Sequence, residues 1–230
     1  MTRPSQLVSL GRMSTALNEL YVSPRFPEVV EDLQARMAKE RARREKFYAE
    51  LTEDQKAEFV NGEVIVHSPA RVRHLRVRHH LHTLLYEYVE IHQLGFVAGE
   101  KALCVFSRND YEPDVCFFSG EKAAQLFPEQ LKLPIPDFIA EVLSGSTERL
   151  DRGVKFQDYQ AHGVAEYWLV DPGSGMLEQY VLREGAYELE QKTGLGEVRS
   201  QVVSGFTIPI RALFDVRIHT EVLRRILAQE

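Results

Sequence analysis

The segment Phe138 to Pro172, FIAEVLSGSTERLDRGVKFQDYQAHGVAEYWLVDP, sets the architecture. It opens on an apolar run that reads as a buried strand and closes on a second, EYWLVDP at 166–172, ended by Asp-Pro-Gly. Between them Ser146 or Thr147 can cap a helix running to about His162, and Gly163 stops it. The unit therefore reads as strand, crossover helix, strand, the building block of an α/β protein whose sheet is flanked by helices.

Working back from this unit, runs at Phe96–Phe106 and Pro113–Ser119 are rich in Val, Phe and Cys and are separated by polar or Pro-rich loops (SRNDYE, FPEQLKLPIP). Together with Phe138–Ser144 they are expected as the central strands. Before them, Val77, Leu81, Leu84, Tyr88 and Ile91 recur at steps of four and three, which predicts a helix burying one face on the sheet, with Gly95 as its stop. The same stripe taken one turn back reaches His74 and turns it toward the sheet side, while Arg73, Arg76 and His80 fall on another face. Histidines 74, 79, 80 and 82 are scattered around the helix without an HExxH arrangement, so a histidine metal site is not expected. The first strand is EFVNGEVIVHSP, in which Val64 and Val66 alternate behind an Asn-Gly turn signal.

Beyond the unit come a hairpin turning at Glu184-Gly185, a strand around Glu197–Val203 and a last amphipathic helix carrying Val222, Leu223, Ile226 and Leu227. That helix can cap the core or join a second subunit in a homodimer. A chain of 230 residues with 44% hydrophobic and 27% charged residues suits one well-buried domain with appendages. The expected division is a flexible tail and basic helical arm at 1–50, a packed domain at 51–215 and a C-terminal helix at 216–230. Within the arm, a thin stripe (Val29, Leu33, Met37) gives way to the basic run KERARREK from Lys39 to Lys46. A solvated arm or a dimer contact explains it more simply than a DNA-binding helix.

No apolar run approaches the roughly 20 residues that span a bilayer, and residues 1–25 lack the marks of a secretory signal, so a cytoplasmic location with no membrane partner is expected. Cys104 and Cys116 sit in apolar contexts and read as core residues. The net charge of -6 argues against indiscriminate nucleic-acid binding but leaves room for a local basic cleft.

Two carboxylates interrupt apolar strands: Asp114 in EPDVCFF and Glu141 in FIAEVLS. A buried charge needs a partner, and either one alone is as well explained by a salt bridge. As a pair they are more informative, because adjacent strands can bring both to one end of a sheet, where oxygen ligands suit Mg²⁺ or Mn²⁺. The crossover helix then offers Asp151 and Lys155 one turn apart, with Tyr159 a turn further. Lys155 can face back across the site; the plain alternative is a surface ion pair at the helical spacing of four. Arg71, Arg73, Arg76 and Arg78 are candidates for phosphate contacts, against ordinary solvated arginines.

The succession NGEV at 61–64, His74, EPD at 112–114, EVLSGST at 141–147, D-x-x-x-K at 151–155 and GVAEYWLVDP at 163–172 closely resembles the Uma-two-type putative restriction endonuclease family of the PD-(D/E)XK superfamily. The resemblance covers roughly Phe59 to Phe214. It implies a restriction-endonuclease-like core, a central mixed sheet flanked by helices, here with an added C-terminal hairpin and helix. It further implies that Asp114, Glu141 and the Val142 carbonyl hold Mg²⁺ or Mn²⁺. The lysine expected two residues after Glu141 is Leu143, and Lys155 matches a migrated one. Glu63, the acid of NGE, is implied as a further ligand or catalytic group, or else belongs to a structural ion pair. His74 is implied as a contact to the scissile phosphate or to Glu63, or else is an ordinary helix-entry histidine. The function implied is a metal-dependent endonuclease hydrolysing phosphodiester bonds, with DNA the favoured nucleic acid. A nuclease-fold protein that binds nucleic acid or a protein without cutting, and a nuclease for structured RNA or repair intermediates, are the alternatives.

Overall fold

In the computed structural model, which describes residues 15–52 and 55–229, the chain divides into two units, Met1–Ala49 and Glu50–Glu230. The first holds α1 (Thr15–Tyr21) and α2 (Phe26–Glu50), with Arg36 paired to Asp32 at 2.7 Å along the exposed helix. Of the stretch expected as a loose tail, residues 1–14 lie outside the described residues, whereas Thr15–Tyr21 are helical.

The second unit opens with a hairpin, β1 (Ala57–Val60) and β2 (Glu63–Val66), turned by Asn61 and Gly62 at φ 51 and 85. Both residues lie in the left-handed region, as the tightest hairpin turns require, and Asn-Gly tolerates it best. Burial runs the other way from the expected one: β1 is buried along its whole length while Val64 and Val66 are exposed. Helix α3 (Val72–Ile91) follows, burying Val77, Leu81, Leu84, Leu85 and Val89. It ends before Gly95, through Gln93 at φ 50. Gly95 instead begins β3 (Gly95–Ala98), where a Cβ would lie 2.0 Å from the Phe118 carbonyl oxygen.

The expected run Phe96–Phe106 is two strands in two sheets. Left-handed Glu100 and Lys101, at φ 46 and 64, turn the chain sharply between β3 and β4 (Leu103–Val105). There follow β5 (Asp110–Tyr111), β6 (Val115–Ser119), α4 (Gly120–Ala123), β7 (Lys132–Leu133) and β8 (Phe138–Val142). The crossover is α5 (Glu148–Leu150), a wide π turn at Asp151–Lys155 and α6 (Phe156–Ala161), leading to β9 (Glu166–Asp171). Hairpin β10 (Met176–Arg183) and β11 (Ala186–Thr193), ribbon β12 (Glu197–Arg199) and β13 (Thr207–Pro209), and α7 (Val216–Leu227) complete it. Asp215 caps α7 by accepting from the Arg217 and Ile218 amides, and Val222 and Ile226 join the α3 core.

The main sheet has six strands in the order β11-β10-β9-β8-β6-β3, with β8 and β9 parallel and the other neighbours antiparallel. A second sheet, not foreseen from sequence, orders five strands as β2-β1-β5-β4-β7. Strand alternation divides the core in two. Val115, Phe117, Phe138, Ala140 and Val142 face α3 and α7, whereas Cys116, Phe118, Ile139 and Leu143 face Tyr159, Tyr167 and the second sheet. Cys104 and Cys116 are both buried free thiols on that second side. By the same alternation Asp114 and Glu141 share the side of Cys116 and Ile139, toward the crossover. Among the described residues no helix is long and apolar enough to cross a membrane.

Candidate active site

Strands β6 and β8 pair Val115 with Ala140, so one step further along the antiparallel register Asp114 stands opposite Glu141. Two like charges facing across strands repel, and each carboxylate is met by a backbone amide of the facing segment. The Asp114 amide donates to Glu141 Oε2 at 3.3 Å, and the Val142 amide donates to Asp114 Oδ2 at 2.9 Å. Both side chains are buried, at 5% and 3% exposure, yet both line a cleft of about 570 Å³.

Lys155 enters from the π turn. Its ammonium lies 2.9 Å from Glu141 Oε1, 2.9 Å from Glu58 Oε1 and 3.4 Å from Asp151 Oδ1. Asp151 and Lys155 are 1% and 2% exposed, so the pair is no surface ion pair; the π turn aims both inward. Tyr159, one turn on, donates to Glu141 Oε1 at 3.0 Å. The turn is held from outside by Arg152, whose guanidinium grips Glu178 of β10 at 2.9 and 2.8 Å.

Four carboxylates, Glu58, Asp114, Glu141 and Asp151, thus crowd around the cleft with two lysines, Lys155 and Lys56. Burial pushes the Glu141 carboxyl up to about 8 against the pull of Lys155, with Asp151, Asp114 and Glu58 adding to the rise. Burial acts the same way on Glu58 and Asp114 but is outweighed there. Lys155 and His67 bring Glu58 down to about 2, and His74, Lys56 and the Val142 amide hold Asp114 well below the usual carboxylate range. The burial that would discharge Lys155 is likewise outweighed by Glu141, Glu58 and Asp151, so it stays a cation.

His74 reaches the site from the first turn of α3, its Nε2 3.5 Å from Asp114 Oδ1. Arg71, Arg73 and Arg78 line the cleft, Arg78 paired to Glu100 at 2.9 Å. Arg76 does not line it. Two residues from His74 on a helix is about 200° around the axis, which turns Arg76 away. Glu63 does not join the site either: it is exposed at the turn end of the β1–β2 hairpin, opposite Val60, and the cleft touches the other end. The acid found at the centre is Glu58 on β1, fully buried, accepting from the Glu112 amide at 2.9 Å and 3.1 Å from His67. Glu58, Lys56 and His67 went unread in the sequence. Glu58 carried the signal that singled out Asp114 and Glu141, an acid inside an apolar strand (AEFV). At the helix entrance the Ser144 Oγ accepts from the Thr147 amide at 3.3 Å.

The family model described as Uma2, putative restriction endonuclease, matches residues 44–211. The chain belongs to this Uma2 family. The match encloses every residue of the cluster. The uncharacterized protein sll1609 of Synechocystis sp. is 30% identical over 128 residues, spanning 55% of this chain and 72% of that protein. Among solved structures, a putative nuclease belonging to DUF820 from Anabaena variabilis superposes with a TM-score of 0.64 at 17% identity, covering 78% of this chain and 97% of the other. At that identity the likeness speaks to the fold, the mixed α/β architecture with helices flanking the sheet. It supports the restriction-endonuclease-like core for this Uma2 member.

Proposed function

We propose that this Uma2 protein is a divalent-metal-dependent endonuclease that hydrolyses phosphodiester bonds, with DNA as its substrate. The observation behind the proposal is the cross-strand pair Asp114–Glu141 on the floor of a cleft rimmed by Arg71, Arg73 and Arg78. The donor set fits Mg²⁺ or Mn²⁺. Asp114 and Glu141 are oxygen donors facing open space, and four buried carboxylates outnumber the two lysines beside them. Among the described residues no three Asp, Glu, His or Cys side chains are grouped as a metal site, so a backbone carbonyl and water would complete the set. Asp151 Oδ1 is buried without a hydrogen bond, its contact to Lys155 being a long one, a further sign of spare negative charge. Asp114, Glu141 and the Val142 carbonyl would hold the ion; when bound, it neutralises charge developing on the phosphoryl oxygens and makes water more acidic.

The protein's own groups do the rest. The arginines on the rim fix the nucleic-acid backbone, a contact that positions without reading sequence. His74, beside Asp114, is placed to meet a phosphate oxygen entering the cleft. Lys155 and Tyr159 fix the Glu141 carboxylate in one orientation, so that no reorganisation is needed as charge develops. A second reading, a nuclease-fold protein that binds nucleic acid without cutting, draws on one observation: Lys155 is buried among three carboxylates.

The test is cleavage of supercoiled, linear and single-stranded DNA and of structured RNA with Mg²⁺ or Mn²⁺. Metal-stimulated cleavage of DNA that Asp114→Ala and Glu141→Ala abolish is the expected outcome. Binding that survives Glu141→Ala, with no cleavage of any substrate, points to the second reading. Cleavage confined to RNA would leave the chemistry standing and replace the substrate.

A further inference from the structure

We propose that Lys56, not Lys155, is the catalytic lysine of this site, the cation that meets the phosphate being cut, and that Lys155 is a positioning residue. The proposal rests on the nuclease reading above and names a residue that neither the sequence patterns nor the family match singled out.

An ammonium has three N–H donors and no acceptor. Around Lys155 three carboxylate oxygens stand at 2.9, 2.9 and 3.4 Å, and its side chain is 3% exposed. Two of these contacts are close, to Glu58 and Glu141, and Asp151 adds a third anion at longer range. Moving the ammonium to a substrate would strip Glu58, Glu141 and Asp151 of their shared cation, and buried carboxylates that lose their partner are strongly destabilising. Lys155 is built to stay where it is.

Lys56 stands in the opposite situation. Its side chain is 24% exposed and lines the cleft, where its ammonium donates to Asp114 Oδ1 at 3.3 Å. It thus sits beside one of the two metal-holding carboxylates while facing the space a substrate would enter. A phosphate there would find a cation already desolvated on one side and adjacent to the reacting centre, the placement that electrostatic stabilisation of a phosphoryl group requires.

Its position is tied to the adjoining hairpin. Lys56 immediately precedes β1 and is two residues from Glu58, so strand alternation sends both side chains to the same face. Glu58 passes into the floor, where it clasps Lys155; Lys56 stays at the mouth. Across the hairpin the His67 amide donates to the Lys56 carbonyl at 3.0 Å, and the His67 ring lies 3.1 Å from Glu58 Oε2. One short segment, Lys56 and the start of β1, thereby supplies both the acid that anchors the buried lysine and the lysine that faces the substrate.

The experiment compares the parent chain with Lys56→Gln, Lys56→Arg and Lys155→Met in three measurements. These are single-turnover cleavage of a labelled DNA duplex with Mn²⁺, binding of the same duplex in EDTA across a salt series, and the thermal midpoint. Lys56→Gln is expected to slow cleavage by about 100-fold, to lower the salt slope of binding by about 0.9 and to leave the midpoint unchanged. Lys56→Arg should recover part of the rate, and Lys155→Met should lower the midpoint. A parent that cuts while Lys56→Gln cuts equally fast overturns this proposal and leaves the nuclease reading intact. A parent that binds the duplex without cutting overturns the nuclease reading; there a lowered salt slope in Lys56→Gln supports the phosphate contact, and an unchanged slope overturns it. A parent that neither cuts nor binds overturns both.

Discussion

Asp114 and Glu141 are bound to each other through their backbones: the Asp114 amide serves the Glu141 carboxylate at 3.3 Å, and the amide after Glu141 serves the Asp114 carboxylate at 2.9 Å. The exchange holds the two acids at one strand end while leaving both at the cleft. It follows that Asp114→Asn, which keeps the shape and removes the charge, should lower Mn²⁺ affinity at least about ten-fold, or about 1.4 kcal/mol. Calorimetric titration of Mn²⁺ into the parent and the variant reads this. An equal affinity would mean that the pair serves the fold alone.

Glu58 joins the second sheet to the floor of the site, bound to Lys155 and to the Glu112 amide, each at 2.9 Å. Glu58→Ala takes away one of three anions around a buried cation and leaves that amide without its acceptor. A loss of about 3 to 5 kcal/mol is expected, seen as a lower urea midpoint, and Glu58→Gln should lose less because it still accepts from Glu112. A loss under about 1 kcal/mol in Glu58→Ala would remove Glu58 from its anchoring role.

The α3–α7 contact contains a pH-sensitive pair. His80 and His219 stack with centroids 4.1 Å apart, and His80 Nδ1 lies 3.0 Å from the Leu213 carbonyl oxygen. Burial, with His80 and His79 nearby, lowers His219 to about 4. The unfolded chain therefore takes up a proton on His219 that the folded chain refuses, so this contribution to stability is complete above about pH 6.5 and is lost as pH falls toward 4. The thermal midpoint should drop across that window by a few degrees, and His219→Phe, which keeps a stacked ring, should flatten the drop. An equally steep fall in His219→Phe would assign the acid sensitivity elsewhere.

At Gly95 the close approach of β3 to the Phe118 carbonyl, 2.0 Å from any added Cβ, coincides with a φ of 153. Gly95→Ala must displace β3 from its neighbour β6 and should cost about 2 kcal/mol or more. Chemical denaturation decides: a variant as stable as the parent would show that the strand shifts freely.

The sequence was most legible where period and chemistry agreed. The crossover from Phe138 to Asp171 reads directly because two apolar runs enclose a helical stretch, although neither the Ser146 nor the Thr147 side chain caps it, and Asp114 and Glu141 stand out as acids in apolar strands. The second sheet was hidden because its strands are only two to four residues long, too short for any period to register. The break at Glu100–Lys101 was hidden because it uses left-handed residues other than glycine. Glu63 drew attention through its motif, yet hairpin register places it at the far end from the cleft. The acid earlier in the hairpin, Glu58 of β1, faces the site instead, and its apolar setting, AEFV, is the local sign of it. Helical spacing leaves Lys155 two places, facing back across the site or paired with Asp151 at the surface; the π turn and three facing carboxylates make it an interior residue.

Whether the acid pair holds a metal is answered most directly by the anomalous difference density of a crystal of the parent protein soaked in Mn²⁺. The expected result is a peak bounded by the Asp114 and Glu141 carboxylates and the Val142 carbonyl, absent from Asp114→Ala. Saturating Mn²⁺ with no peak at that position, or an equal peak in the variant, would contradict the metal-dependent nuclease reading.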